Sequence, residues 1–213
     1  ELDEDDDNDG IFDIDDLCPL NPNLNCGIND VSGPIFVDTT WSATNGPIRL
    51  VGTVQVAEGA TLTILEGTEV ITQVDDWGTP AEEKLEIYGA LLVAGTPESA
   101  VVMDNIHVTP EKDEGNNVPT IELNYVRATD LKVNAYTSAS FVARNSVFLG
   151  ITRIGFAAQT AFVFEFNNFN CSGNLDCYVG LTASCSDGGV RFANNNVSGV
   201  DFSIRASALC VDV

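Results

Sequence analysis

Fifteen residues near the start of the chain carry its clearest chemistry: Asp5-Asp6-Asp7-Asn8-Asp9-Gly10-Ile11-Phe12-Asp13-Ile14-Asp15-Asp16-Leu17-Cys18-Pro19. With Asp5 as the first loop position, Asp stands at the first, third, fifth, ninth and twelfth, and Gly at the sixth. A calcium ion takes about six to eight hard oxygens in a flexible shell, and carboxylates at alternate residues can turn to one centre. Gly10 permits the sharp turn this needs. The expected ligands are Asp5, Asp7, Asp9, the carbonyl of Ile11, Asp13 and Asp16. Asp16 closes the shell where a longer Glu would reach more easily in a bidentate mode. Asp3 and Asp15 are candidates for a second ion.

The charge around this loop makes cations necessary for its order. The chain has 213 residues and a formal charge of −23, from 32 acids against 9 Lys and Arg. Ten of the first sixteen residues are Asp or Glu, and no Lys or Arg occurs before Arg49. Without counter-ions such a stretch repels itself and stays extended. The same charge repels nucleic acid and anionic lipid. No apolar run is long enough to span a membrane, and no signal peptide is visible, so the chain reads as a mature, processed product or a cut piece. Nucleic-acid binding and membrane insertion are not expected.

Six cysteines fall in two clusters, Cys18 and Cys26, then Cys171, Cys177, Cys185 and Cys210. An even count, with a single histidine in the chain, points to disulfides in an oxidising, extracellular compartment rather than to zinc. Proximity pairs Cys18 with Cys26. In the second cluster the expected pairing is Cys171 with Cys177 and Cys185 with Cys210, and other pairings there stay open.

The loop is not set up as a helical EF-hand. Leu-Cys-Pro and then Asn-Pro-Asn follow it, and these end helices. The string D-x-D-x-D-G-x-x-D-x-x-D-x-C-P over residues 3–26 resembles a thrombospondin type 3 repeat. That resemblance implies a calcium-wrapped, disulfide-tied linker on an extracellular protein, with the six residues named above as ligands.

The rest of the chain must supply the scaffold. At 44% apolar it can bury a core. Residues 48–73 read as short alternating β-branched runs punctuated by Gly52, Gly59 and Gly67, and residues 85–97 repeat the style. No amphipathic helix is expected. An Asn followed two residues later by Val or Phe recurs at Asn124, Asn145, Asn167 and Asn195. A period in the low twenties suits a solenoid of three short strands per coil, with Asn stacked at one turn. Residues 41–213 resemble right-handed parallel β-helix domains of bacterial surface and secreted proteins. The expected organisation is an acidic calcium segment over 1–33 and an all-β, right-handed parallel β-helix over 34–213. The alternative is an antiparallel β-sandwich or jelly roll, which should show hairpin dipeptides; Asn45-Gly46 and Gly188-Gly189 are the candidates. Polar stretches at 74–84 and 109–119 are expected to project as loops.

Enzymatic signals are sparse. His107, in a strand-like context, is expected to be structural or on the surface. Asp75, Asp76, Glu82 and Glu83 are the acids a glycosidase would draw on, and Arg127, Lys132, Arg144 and Arg153 the bases a polysaccharide lyase would need beside calcium. Aromatics for sugar stacking are Trp41, Trp77, Tyr88, Tyr125, Tyr136 and Tyr178, while Phe162, Phe164 and Phe166 read as core. Thr61-Leu62-Thr63 is the one hint of the Thr columns an ice-binding face would need. Sequons stand at Asn170 and Asn196. The reading is a non-enzymatic, calcium-binding structural or adhesive protein of a cell surface or appendage. It would associate with itself or with another surface protein and form fibres through β-helix ends. A carbohydrate-binding module contacting polysaccharide is the alternative, and a lyase or hydrolase ranks below it.

Overall fold

The computed structural model describes residues 27–73, 83–111, 117–135, 139–150, 152–156, 161–170, 178–183, 190–198, 201–206 and 211–212; for several strands beyond residue 151 it describes the backbone alone. The calcium loop and all six cysteines lie outside these residues.

The described chain is all β. It opens with β1 (Asn29–Ile35), β2 (Thr39–Trp41), a 3-10 turn at Ala43–Asn45, and β3 (Ile48–Val56). Three-strand repeats follow: β4 (Thr61–Leu65), β5 (Glu69–Thr72) and β6 (Lys84–Ile87), then β7 (Ala90–Ala94), β8 (Val101–Asp104) and β9 (His107–Pro110). Next come β10 (Thr120–Asn124), β11 (Val126–Thr129) and β12 (Lys132–Ala135), then β13 (Ser140–Arg144), β14 (Val147–Leu149) and β15 (Thr152–Phe156). The last are β16 (Ala161–Glu165), β17 (Asn168–Asn170), β18 (Tyr178–Ala183), β19 (Val190–Ala193), β20 (Asn196–Ser198), β21 (Asp201–Ala206) and β22 (Val211–Asp212).

From β4 onward each strand pairs with the strand three places along. The first stack runs β2-β4-β7-β10-β13-β16-β19-β22. The second runs from β3 through β5, β8, β11, β14 and β17 to β20, and the third from β3 through β6, β9, β12, β15 and β18 to β21. All these pairings are parallel, so the antiparallel sandwich or jelly roll is not the arrangement of the described residues. Asn45-Gly46 is no hairpin either. It closes the 3-10 turn, where the Asn45 side chain accepts from the Ser42 backbone N–H at 3.0 Å.

The nine-residue β3 belongs to both the second and third stacks: Ile48–Leu50 pair with β5 and Val54–Val56 with β6. Gly52 therefore lies inside a strand, where a turn was expected. A Cβ there would stand 3.1 Å from Ser32 Cβ of β1. Strand β1 pairs along β3 from Asn29 to Ile35, so sheet structure already begins ahead of residue 34. Asp30 and Arg49, register partners, close that pairing with a bidentate ion pair at 2.7 and 3.0 Å.

Alternation explains the strands. In β4, Leu62 and Ile64 point inward while Thr61, Thr63 and Leu65 are partly exposed. Inward side chains of the three stacks meet in one core. In the early repeats that core is aliphatic: Leu62, Leu91 and Ile121 follow one another in register. Later it becomes phenyl. Phe164 lies 5.3 Å from Phe141, 5.9 Å from Phe169 and 6.1 Å from Phe192, centroid to centroid. Small residues make room, with Ala143 in register beside Phe164 and Ala128 beside Phe148.

The asparagines do not form one column. Register pairs Asn124 with Arg144, Arg144 with Glu165 and Glu165 with Ala193. Asn124 is thus one place ahead of Asn145, and Asn167 and Asn195 one place behind. The inward column is Val126, Ser146, Asn167 and Asn195. In it each of the three polar side chains accepts from the backbone N–H of the preceding repeat: Ser146 Oγ from Val126 (3.0 Å), Asn167 Oδ1 from Ser146 (3.0 Å), and Asn195 Oδ1 from Asn167 (2.9 Å). Each also donates to a backbone carbonyl, on Arg144, Ala143 and Phe164 respectively. Buried backbone groups at the corner are thereby satisfied. The expected amide stacking is present at Asn167, whose Nδ2 donates to Asn195 Oδ1 at 3.0 Å.

Two substitutions separate these contributions. Phe164→Ala should lower unfolding free energy by about 3–5 kcal/mol in urea titration. Asn167→Leu keeps volume but strands the Ser146 N–H and the Ala143 carbonyl, at about 1–3 kcal/mol for each group.

Candidate functional site

The expected calcium ligands Asp5, Asp7, Asp9, Ile11, Asp13 and Asp16 lie outside the described residues, as do Asp75, Asp76, Trp77, Glu82 and Tyr136. Only backbone is described for Arg153, Phe162 and Tyr178. The remaining candidates are spread out. Arg127 is on the second stack, Arg144 on the first, and Lys132 on the third, in register with Arg153 and His107. These bases do not line one groove. His107 is partly buried on β9, with its Nε2 3.2 Å from Asn134 Nδ2. Trp41, read as a sugar-stacking ring, is 6% exposed and belongs to the core. Thr63 follows Thr40 in register, but Leu92 comes next, so no Thr column forms.

A coherent arrangement appears instead at the corner between the first and second stacks. In four successive repeats the residue there takes a left-handed backbone: Tyr125 (φ 51°), Asn145 (52°), Phe166 (57°) and Asn194 (56°). Their N–H groups continue the sheet ladder, Tyr125 to the Arg144 carbonyl, Asn145 to Glu165 and Phe166 to Ala193. Asn tolerates this conformation, whereas an aromatic residue pays about 1–2 kcal/mol for it. Phe166 is not compensated by burial. Expected in the core by its alternation with Phe162 and Phe164, it is 60% exposed, because the corner turns the chain and reverses the side-chain direction. On the preceding repeat Gly95 makes room: a Cβ there would fall 2.2 Å from the Tyr125 carbonyl oxygen.

Charged groups stand beside this corner on the outer face of the first stack. Glu165 accepts from Arg144 Nε at 2.9 Å and pairs with Arg191 Nε at 2.5 Å, so two guanidiniums share one carboxylate. The Arg144 hydrogen bond, and then that of Arg191, hold the Glu165 carboxyl below the usual carboxylate range. Asn145 Nδ2 donates to Asn124 Oδ1 at 2.9 Å. A groove of about 300 Å³ runs alongside, lined by Leu92, Glu122 and Val142 as well as Asn124, Arg144 and Asn145. Sequence reasoning named Tyr125 and Arg144 separately and missed Arg191, Glu165 and the exposure of Phe166.

Elsewhere carboxylates are set against one another. Burial, and then repulsion from Asp130, raise the Asp104 carboxyl above its ordinary range. Burial, and then Glu86, do the same to Glu111, with Lys84 opposing. Among the described residues no group of three or more His, Cys, Asp or Glu converges to hold a metal, and no helix is long and apolar enough to cross a membrane. No protein-family model, curated protein or solved structure matches the chain.

Titration should distinguish the two kinds of carboxylate. Asp104 binds its proton more tightly folded than unfolded, so its ionised form costs stability above the ordinary carboxylate range, and that cost vanishes below it. Asp104→Asn should raise the melting temperature at neutral pH and leave it unchanged in acid. Glu165, with its lowered carboxyl, contributes stability above the ordinary range and loses it as pH falls through its folded value; Glu165→Gln should lower the melting temperature at neutral pH only.

Proposed function

We propose that this chain is a non-enzymatic, extracellular calcium-binding protein of structural or adhesive role, built on a right-handed parallel β-helix and able to associate with itself. Parallel neighbours in one sheet require crossover connections, which are right-handed in nearly all proteins, and the shared core of the three stacks supports closure into a helix.

The observation that carries self-association is at the first strand. Among the described residues β1 pairs with β3 alone, which leaves its other edge open. Directly after it, Phe36 and Val37 are 73% and 71% exposed. Adjacent apolar side chains at a sheet edge favour contact with another chain. Pro34 lacks an N–H and prevents a full added strand, so the Phe36–Val37 tip supplies the contact. Calcium enters through the sequence of residues 5–16: at a formal charge of −23, bridging cations would offset repulsion between copies. The six carboxylate and carbonyl ligands expected there suit that ion.

Calorimetry with calcium should show heat of binding at millimolar concentrations or below, lost in the Asp7→Ala, Asp9→Ala double variant. Light scattering and electron microscopy should show assemblies in calcium that chelator dissolves. Phe36→Ser with Val37→Ser should leave calcium binding intact and the protein monomeric. A calcium-silent, monomeric parent protein would overturn the reading.

A further inference from the structure

We propose that the corner carrying Tyr125, Asn145 and Phe166 is a binding strip for an extended glycan chain. The proposal gives the adhesive reading a ligand class, yet it rests on residues remote in sequence from the acidic loop, and the two fail separately.

Three features of the corner point to such a ligand. The first is the placing of the rings. Tyr125 and Phe166 occupy equivalent positions two repeats apart, with Asn145 between them. Neighbouring strands in a sheet lie about 4.8 Å apart, so the two rings are separated by about 9.6 Å along the stack. That is close to the advance of two pyranose units along an extended chain. Phe166 is 60% exposed and Tyr125 partly exposed, and an exposed aromatic face suits the axial C–H groups of a sugar.

The second is chemistry between and beside the rings. The bond from Asn145 to Asn124 leaves Asn145 Oδ1 as an acceptor and Asn124 Nδ2 as a donor with no protein partner among the described residues. Both belong to the lining of the adjoining groove. Arg144 and Arg191 each engage Glu165 through Nε, which leaves terminal guanidinium N–H groups for hydroxyl or carboxylate oxygens. Polar groups flanking apolar platforms are what a sugar presents in reverse.

The third is the backbone. Asn occupies the same left-handed position in the intervening repeat and again at Asn194, so the fold accepts Asn there. An exposed phenyl ring at Phe166 adds neither burial nor backbone ease. Strain of this kind, held by surrounding structure, marks binding sites.

The same substitution separates binding from folding. The full chain is titrated calorimetrically with a β-1,4-linked glucose hexamer and with an α-1,4-linked galacturonate hexamer, each in calcium and in chelator. Binding of either hexamer, weakened at least tenfold in Tyr125→Asn and in Phe166→Asn while their melting temperatures stay level or rise, supports the strip. Selective binding of the galacturonate chain, lost with added salt and in Arg191→Gln, assigns the ligand as anionic. Selective binding of the glucose chain assigns it as neutral. Failure of both hexamers to bind, or Asn variants that bind as the parent does, overturns the proposal. Glycan binding by a parent chain that gives no heat with calcium and stays monomeric in it would sustain the strip and sink the calcium reading.

Discussion

In-register parallel pairing governs this molecule. Each residue on a strand lies beside its counterpart in the repeats before and after it, at a single strand spacing, for the length of the stack. A side chain's neighbours are therefore fixed by its column. Most inward columns are apolar or satisfy their own hydrogen bonds from one repeat to the next; the buried hydroxyls of Thr68 and Thr109, which have no hydrogen-bond partner among the described residues, are exceptions. The run from Leu62 through Leu91 to Ile121 follows the first course, and Ser146, Asn167 and Asn195 follow the second. Outward columns bring charges together. Where signs differ they pair, as at Glu165 between Arg144 and Arg191. Where signs agree, as at Asp104 near Asp130, ionisation becomes harder.

The same constraint explains why strands were legible in the sequence and corners were not. Alternation with β-branched residues marks β4 and β7 clearly, because an inward side chain every second residue is all these strands need. Asn at the corners arises for three separate reasons. Asn145 and Asn194 accept a left-handed backbone, Asn167 and Asn195 satisfy buried backbone groups, and Asn124 is the last residue of β10, partway along the column from Ala94 to Arg144. These positions lie within two residues of one another, so a single spacing merged them and placed the period one residue off. Phe166 misled through the alternation of Phe162, Phe164 and Phe166, which continues past the end of β16 although the chain has already turned. Gly52 misled in the opposite sense. Later repeats turn at the second corner through Asn105, Asp130 and Gly150, all with positive φ, while β3 carries the chain across it within one strand.

The corner surface illustrates how site information is distributed. Tyr125 and Arg144 are nineteen residues apart, and Arg191 comes much later still; nothing local in the sequence links them. Glu165 joins the two arginines because three repeats lie side by side. Trp41, by contrast, attracts notice by its residue type, and its in-register neighbour Ile64 identifies it as core.

The amide connection between Asn167 and Asn195 crosses a gap of 28 residues, against 21 between Ser146 and Asn167. Alignment at the corner is thus held by side chains beside it, and the length of the intervening segment is left free. Such a scaffold can carry inserts of very different size at its second and third corners without any change in how its layers meet. Its outer decoration and its inner order are independent variables.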